Sequence, residues 1–229
     1  MKVLFPAFFF AALFSEGFSQ EIAYDTPTQQ VKHFVVDVLG TPNKKWVVLP
    51  KLEMSSSSPE LGAFATDSFS EIVKLAELKA SPKPGETRPV FHVLIGTKRE
   101  LELNPLASRA CLVPPGKNGN RNWTNADNSL KETVVYLCID QVGQTKAVQA
   151  KDQMPVSKDT LLKDMLRAFG FTGHSKEFDE SLFSTKNHAL RESLTPLDRM
   201  LISLTYKYVS PTAGVGQIWR ITGEHWNKP

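Results

Sequence analysis

The sequence predicts an α+β fold, a mixed and twisted sheet packed against helices. Three observations lead there. Two almost continuously apolar runs, "PVFHVLIG" and "ETVVYLCID", read as buried strands. Amphipathic stripes with strong start signals read as helices before, between and after them. No internal repeat points to an array.

The chain opens with "MKVLFPAFFFAALFSEGFSQ". One lysine precedes an apolar run from Val3 to Phe14, and small residues follow. That layout predicts a secretory signal peptide over residues 1–19, cleaved near Ser19. The run is too short for a spanning helix. The expected location is therefore secreted or periplasmic, with residues 20–229 forming one domain of 229 − 19 = 210 residues. Lys2 and Glu16 leave together, so the net charge stays at +3. This mild excess, with no basic block, argues against nucleic acid as a partner. No later stretch is apolar and long enough to cross a membrane.

The first helix is "DTPTQQVKHFVVDVLGTP". Thr26 is its expected cap, Pro27 suits the first turn, and Val31, Phe34, Val35 and Val38 form its stripe. Gly40 and Pro42 stop it. "KWVVLPKLEM" reads as a strand and "SSSSPELG" as an exposed loop. "SFSEIVKLAELKA" reads as the second helix, with Ser68 and Glu71 as its capping pair. After the central strand "PVFHVLIG" come a short strand, "SRACLV", and a long polar loop, "PPGKNGNRNWTNADNSLK". Trp123 in that loop either grips a ligand or packs locally, and Asn122-Trp123-Thr124 spells a glycosylation sequon.

"ETVVYLCID" is the next strand. Ser157 opens a helix whose stripe is Leu162, Met165, Leu166 and Phe169. In "LTPLDRMLISLTYKY", Thr195 caps a last helix, Pro196 begins it and Asp198 sits in its first turn. Its stripe is Leu197, Met200, Leu201, Leu204 and Tyr208. "TAGVGQIWRITGEHWNKP" yields no assignment. The two cysteines, Cys111 and Cys138, sit in apolar contexts. In an exported protein they predict a disulfide, worth about 3–4 kcal/mol by loop closure. Two buried reduced thiols are the alternative.

"LLKDMLRAFGFTGHS" has the cadence of a zinc-protease helix running into its glycine turn. With Gly170 as the glycine of H-E-x-x-H-x-x-G-x-x-H, the two helical histidine positions fall on Lys163 and Arg167. The glutamate position falls on Asp164 and the third histidine position on Gly173, with His174 one residue late. "ESLF" around Ser181, Leu182 and Phe183 looks like a Met-turn with Phe183 in place of methionine. The chain thus resembles a degenerate metzincin or matrixin-like zinc protease. It is more closely similar to secreted bacterial proteins of unknown function that carry "SIF" and "LTPLDRxLLRLLY" segments. The resemblance implies a zincin-like sheet with an extra N-terminal helix and a closing C-terminal helix.

The chemistry implied by the replacements is a loss. Protonated lysine and arginine offer a metal no lone pair, and two cations one turn apart repel it. No Ser/His/Asp order, paired-acid pattern or phosphate loop supplies a substitute, so no catalytic residue, cofactor or metal is expected. His33, His92, His188 and His225 are scattered. Lys163 and Arg167 have two readings. They are the wet face of an amphipathic helix, paired with Asp159 at i,i+4 and Asp164 at i,i+3. Or, since the resemblance places these positions in a cleft, they join His174 as an anion site for a carboxylate or an acidic peptide. The expected function is an exported, non-catalytic binding or envelope-associated protein with a protein or peptide partner. The competing reading is a metallopeptidase with atypical zinc ligands.

Overall fold

The computed structural model describes residues 29–79, 87–109, 118–140, 153–186 and 189–226. The leader over residues 1–19, the Thr26 cap, Cys111 and His188 lie outside the described residues. Four strands form one open sheet: β1 (Lys51–Ser56), β2 (Val90–Gly96), β3 (Gly119–Thr124) and β4 (Leu130–Cys138). Their order is β1-β2-β4-β3. The pairs β1–β2 and β2–β4 are parallel, and β3 runs antiparallel along the outer edge of β4. Seven helices accompany the sheet among the described residues: α1 (Gln29–Leu39), α2 (Pro59–Leu75), α3 (Lys98–Glu102), α4 (Pro105–Arg109), α5 (Gln153–Ala168), α6 (Pro196–Tyr208) and α7 (Val215–His225). The class is thus α+β with a mixed sheet.

The continuous apolarity of β2 has its cause in two covered faces. Phe91, Val93 and Ile95 point into the main core with α1, α2, α5 and α6. Leu94 points the other way, into a smaller cluster with Val134 and Ala107 under α3 and α4. In the main core, Phe91 packs between Phe69 of α2 (5.1 Å between ring centroids) and Phe169 (5.2 Å). Aromatic burial of this kind carries much of a core's stabilisation.

Several expected boundaries move. The first strand begins at Lys51 rather than at "KW", because Lys45 and Trp46 are buried anchors outside the ladder. Trp46 Nε1 donates to Ala168 O at the end of α5 (3.1 Å). Lys45 Nζ donates to Thr205 O and Tyr206 O near the end of α6 (3.2 and 3.1 Å). Burial pushes the Lys45 ammonium down to about 8. The serine run is not a loop. Ser55 and Ser56 finish β1, Ser58 caps α2 by accepting from Leu61 N, and Pro59 occupies the first turn. Ser68 and Glu71 are therefore interior to α2 and cap nothing.

Ser108 and Arg109 of the expected "SRACLV" strand end α4, where Asn104 Oδ1 accepts from Leu106 N (2.9 Å). The expected polar loop contains the edge strand β3. On it, Trp123 packs locally under the guanidinium groups of Arg109 and Arg121. Helix α5 starts at Gln153, so Ser157 lies inside it and donates to Gln153 O (2.8 Å). The unassigned tail forms α7, whose Trp219 meets His33 of α1 edge to face (4.9 Å). Thr195 caps α6 as expected, and Asp198 completes a capping box with it.

Cys138 ends β4 as a buried free thiol whose Sγ lies 2.8 Å from Asp140 Oδ1. Burial and that carboxylate push the thiol up to about 12. Its expected disulfide partner is outside the described residues.

The sharpest local constraint is Gly170. Its φ is +100°, and a Cβ there would stand 1.6 Å from Lys44 O. Gly170→Ala is expected to lower stability by about 3 kcal/mol. Urea unfolding checks this, and a loss under about 1 kcal/mol would mean that the backbone relaxes freely there.

Candidate functional site

Helix α5 buries Leu162, Met165 and Leu166, and Phe169 follows in the turn after it. That stripe fixes the rotation of the helix and turns Lys163 and Arg167 to a common, half-buried face. Each cation is held by a carboxylate of its own helix. Lys163 Nζ lies 2.9 Å from Asp159 Oδ2, and Arg167 Nη1 lies 2.7 Å from Asp164 Oδ1.

Both ion pairs expected of a wet helix face are thus present, yet both carboxylates are buried. Asp159 also accepts from Arg191 N (3.0 Å). Burial pushes the Asp164 carboxyl up, while Arg167 and Lys163 pull it back. The carbonyl of Arg167 accepts from Asn122 Nδ2 of β3 (3.2 Å), which ties this end of α5 to the sheet edge.

Gly170 closes the helix. Gly170 N donates to Arg167 O (3.0 Å) and Phe171 N to Leu166 O (3.1 Å), the paired bonds of a left-handed helix stop. The chain then passes α1 at very close range. Gly173 N donates to Val38 O (2.9 Å), and a Cβ on Gly173 would stand 1.8 Å from Asp37 O. This forced approach delivers His174 beside α5.

Partial burial of the ring, then Arg167, then Lys163 hold His174 below the ordinary histidine range. A hydrogen bond to the Phe183 backbone opposes them. The charges of Arg167 and Lys163 thus reach the His174 ring, which is itself exposed.

The floor of this corner is the turn at Ser181–Phe183, fixed by one carboxylate. Asp198 is fully buried in the first turn of α6. It accepts from Ser181 Oγ (2.7 Å), Thr195 Oγ1 (2.7 Å), Leu182 N (3.2 Å) and Thr195 N (3.2 Å). Burial pushes its carboxyl up and these donors pull it back. Phe183 N donates to Ser181 Oγ (3.0 Å), and Ser175 N donates to Phe183 O (3.0 Å). The turn and the His174 segment are thus one unit. Sequence reasoning placed Asp198 in the first turn of α6 and missed its tie to the Ser181–Phe183 turn.

Among the described residues, no three His, Cys, Asp or Glu side chains gather in a way that would hold a metal ion. His92 is enclosed in the sheet, with Nδ1 3.2 Å from Glu53 and Nε2 3.3 Å from Glu132 on opposite sides of its ring. His225 stacks on Tyr208 at 4.0 Å. At the far end of α5, a cavity of about 400 Å³ is lined by Ser58, Leu61, Thr97, Asp140 and Met154. The Ser58 hydroxyl there accepts from Leu61 N, and Asp140 accepts from Lys98 N. No helix among the described residues is long and apolar enough to cross a membrane. No family model, curated protein or solved structure matches the chain.

Asp198→Asn exchanges one acceptor oxygen for a donor facing donors. The expected cost is about 2–3 kcal/mol, with the largest amide shifts at Leu182 and Phe183. Denaturant unfolding with amide NMR checks it. Unchanged stability would remove Asp198 as the tie between turn and helix.

Proposed function

We propose that this chain is an exported, non-catalytic binding protein that takes an anionic group, a carboxylate or an acidic peptide segment, at Lys163, Arg167 and His174. One observation carries the reading: Lys163 and Arg167 share one half-buried face of α5, and their charges reach the exposed ring of His174 beyond the Gly170 turn. Arg167 spends one terminal nitrogen on Asp164, which leaves further guanidinium donors for a ligand. Lys163 spends one of its three donors on Asp159. The buried carboxylates hold both cations in place, so a ligand meets donors whose ordering entropy is already spent.

The resemblance to a zinc protease is supported by the order of α5, the Gly170 stop, the Ser181–Phe183 turn and α6. It is also supported by the antiparallel edge strand β3 beside α5. On such a scaffold the former metal position would hold cations, and electrostatics there would favour an anion over a metal. The export half of the reading rests on the apolar run at the start of the sequence.

The test is binding of glutamate-rich peptides, followed by thermal shift. Removing the cations alone would strand the buried Asp159 and Asp164 carboxylates, so the variant is Lys163→Ala, Arg167→Ala with Asp159→Asn and Asp164→Asn. The wild type should be stabilised by the peptides and the variant should lose at least about tenfold in affinity, the scale of one charge-assisted pair. An equal shift in wild type and variant would place the ligand elsewhere.

A further inference from the structure

We propose that the crevice at the carboxyl ends of β1 and β2 is a second binding site, suited to a neutral polyhydroxylated ring, a monosaccharide unit. It shares no residue with the proposed anion site.

The topology makes the crevice. Strands β1, β2 and β4 run parallel, so their carboxyl ends lie along one edge of the sheet. After β1 the chain enters α2, whose Leu61, Ala65 and Phe69 join the main core on one face. After β2 it enters α3, whose Leu101 packs with Leu94 on the opposite face. Neighbouring parallel strands whose connections leave to opposite faces part the chain between them. Ligands of open sheets sit in the crevice that opens at such a switch point. Here a cavity of about 320 Å³ stands at that place, on the α3 side. Its volume is at the small end of ligand pockets.

The chemistry of its walls selects the ligand. Leu94 and Leu101 supply an apolar wall, and Ser55, Ser57, Glu100 and Asn104 stand around it. Asn104 Oδ1 accepts from Leu106 N (2.9 Å) and Ala107 N (3.4 Å) at the start of α4. Its Nδ2 is left as a donor without a partner among the described residues. The exposed Ser55 hydroxyl likewise has no partner among them. Glu100 completes the capping box of α3, where its Oε2 accepts from Thr97 N (2.7 Å) and Thr97 Oγ1 (3.0 Å). Those bonds, with one from the Ser57 side chain, hold its carboxyl below the ordinary range. Glu100 is therefore ionised at neutral pH, and its lone pairs outnumber these donors.

An anion is disfavoured there. Among the described residues, the one full charge in the wall is Glu100, and Asp140 adds a second negative charge nearby. A cation would use Glu100 but meet the Asn104 amide donor with the wrong polarity. A hydroxyl both donates and accepts. A ring with several hydroxyls can donate to Glu100 and Ser55, accept from Asn104 and lay its C–H face on Leu94 and Leu101. Mixed donors and acceptors beside an apolar wall thus match a sugar ring better than a simple ion.

The test uses the full chain with glucose, galactose, mannose and N-acetylglucosamine as probes, and with tetramethylammonium and sulfate as ionic controls. Amide and methyl NMR titration reads affinity and place together. The expected result is a millimolar Kd for at least one sugar, the range for so small a ligand. Its shifts should centre on residues 55–57, 94–96 and 100–104. Asn104→Asp keeps the acceptor at the start of α4 and removes the donor. Glu100→Gln keeps the capping box, which takes either residue. Both variants should fold as the wild type does, and each should bind the sugar about tenfold more weakly. Silence toward every sugar would overturn the proposal, as would tighter binding of an ionic control at these same residues. Sugar shifts centred on other residues, or undiminished affinity in either variant, would place the sugar elsewhere and overturn it too.

Discussion

The contact between Gly170 and the carbonyl of Lys44 is the constraint on which the rest of this corner depends. A left-handed residue with no room for a side chain can only be glycine. It ends α5 directly after Arg167 and Ala168 and turns the chain back toward α1. On the other side of that contact, the next residues, Lys45 and Trp46, reach the carbonyls at the ends of α6 and α5. One close approach therefore joins the N-terminal segment, both C-terminal helix ends and the segment that carries His174. Gly173, equally crowded against Asp37 O, repeats the device three residues later.

Electrostatics at the corner follow from what is buried behind it. Asp159 and Asp164 lie beneath their cations and have little access to water. A buried carboxylate left alone is costly, so each holds its partner in one place. The price is that Lys163 and Arg167 enter any binding event already partly neutralised. What they retain is direction: donors fixed at two points one helical turn apart. The segment that carries His174 is bonded through Ser175 to the Ser181–Phe183 turn, which Asp198 of α6 fixes.

Much of this was legible in the sequence, for identifiable reasons. The strands β2 and β4 showed because burial on two faces demands continuous apolar runs. Helix α6 showed because Thr195, Pro196 and Asp198 state its start in local chemistry. The edge strand β3 did not show: "GNRNWT" has the polarity of a loop. It is a strand because β4 supplies its ladder and Asn122 reaches α5. Helix α7 carries two glycines, and its helical state depends on packing against α1, which no local signal reports. The start of α2 was written in Ser58-Pro59-Glu60, but the preceding serines gave it the look of a loop. The resemblance of the motif around Gly170 singled out Lys163, Arg167 and His174 as candidates. The burial of Asp159 and Asp164, which decides how those cations are held, depends on tertiary packing and has no signature in a charge pattern.

The proposed reading puts cationic side chains where a zinc-protease scaffold would hold a metal. Elemental analysis of the purified protein, dialysed mildly and without chelator, tests it most directly. The account predicts no stoichiometric zinc, and no perturbation of the His174 ring signals when zinc is added at one equivalent. One tightly held zinc per chain, lost on His174→Ala, would contradict it and restore a metallopeptidase reading of the same helix.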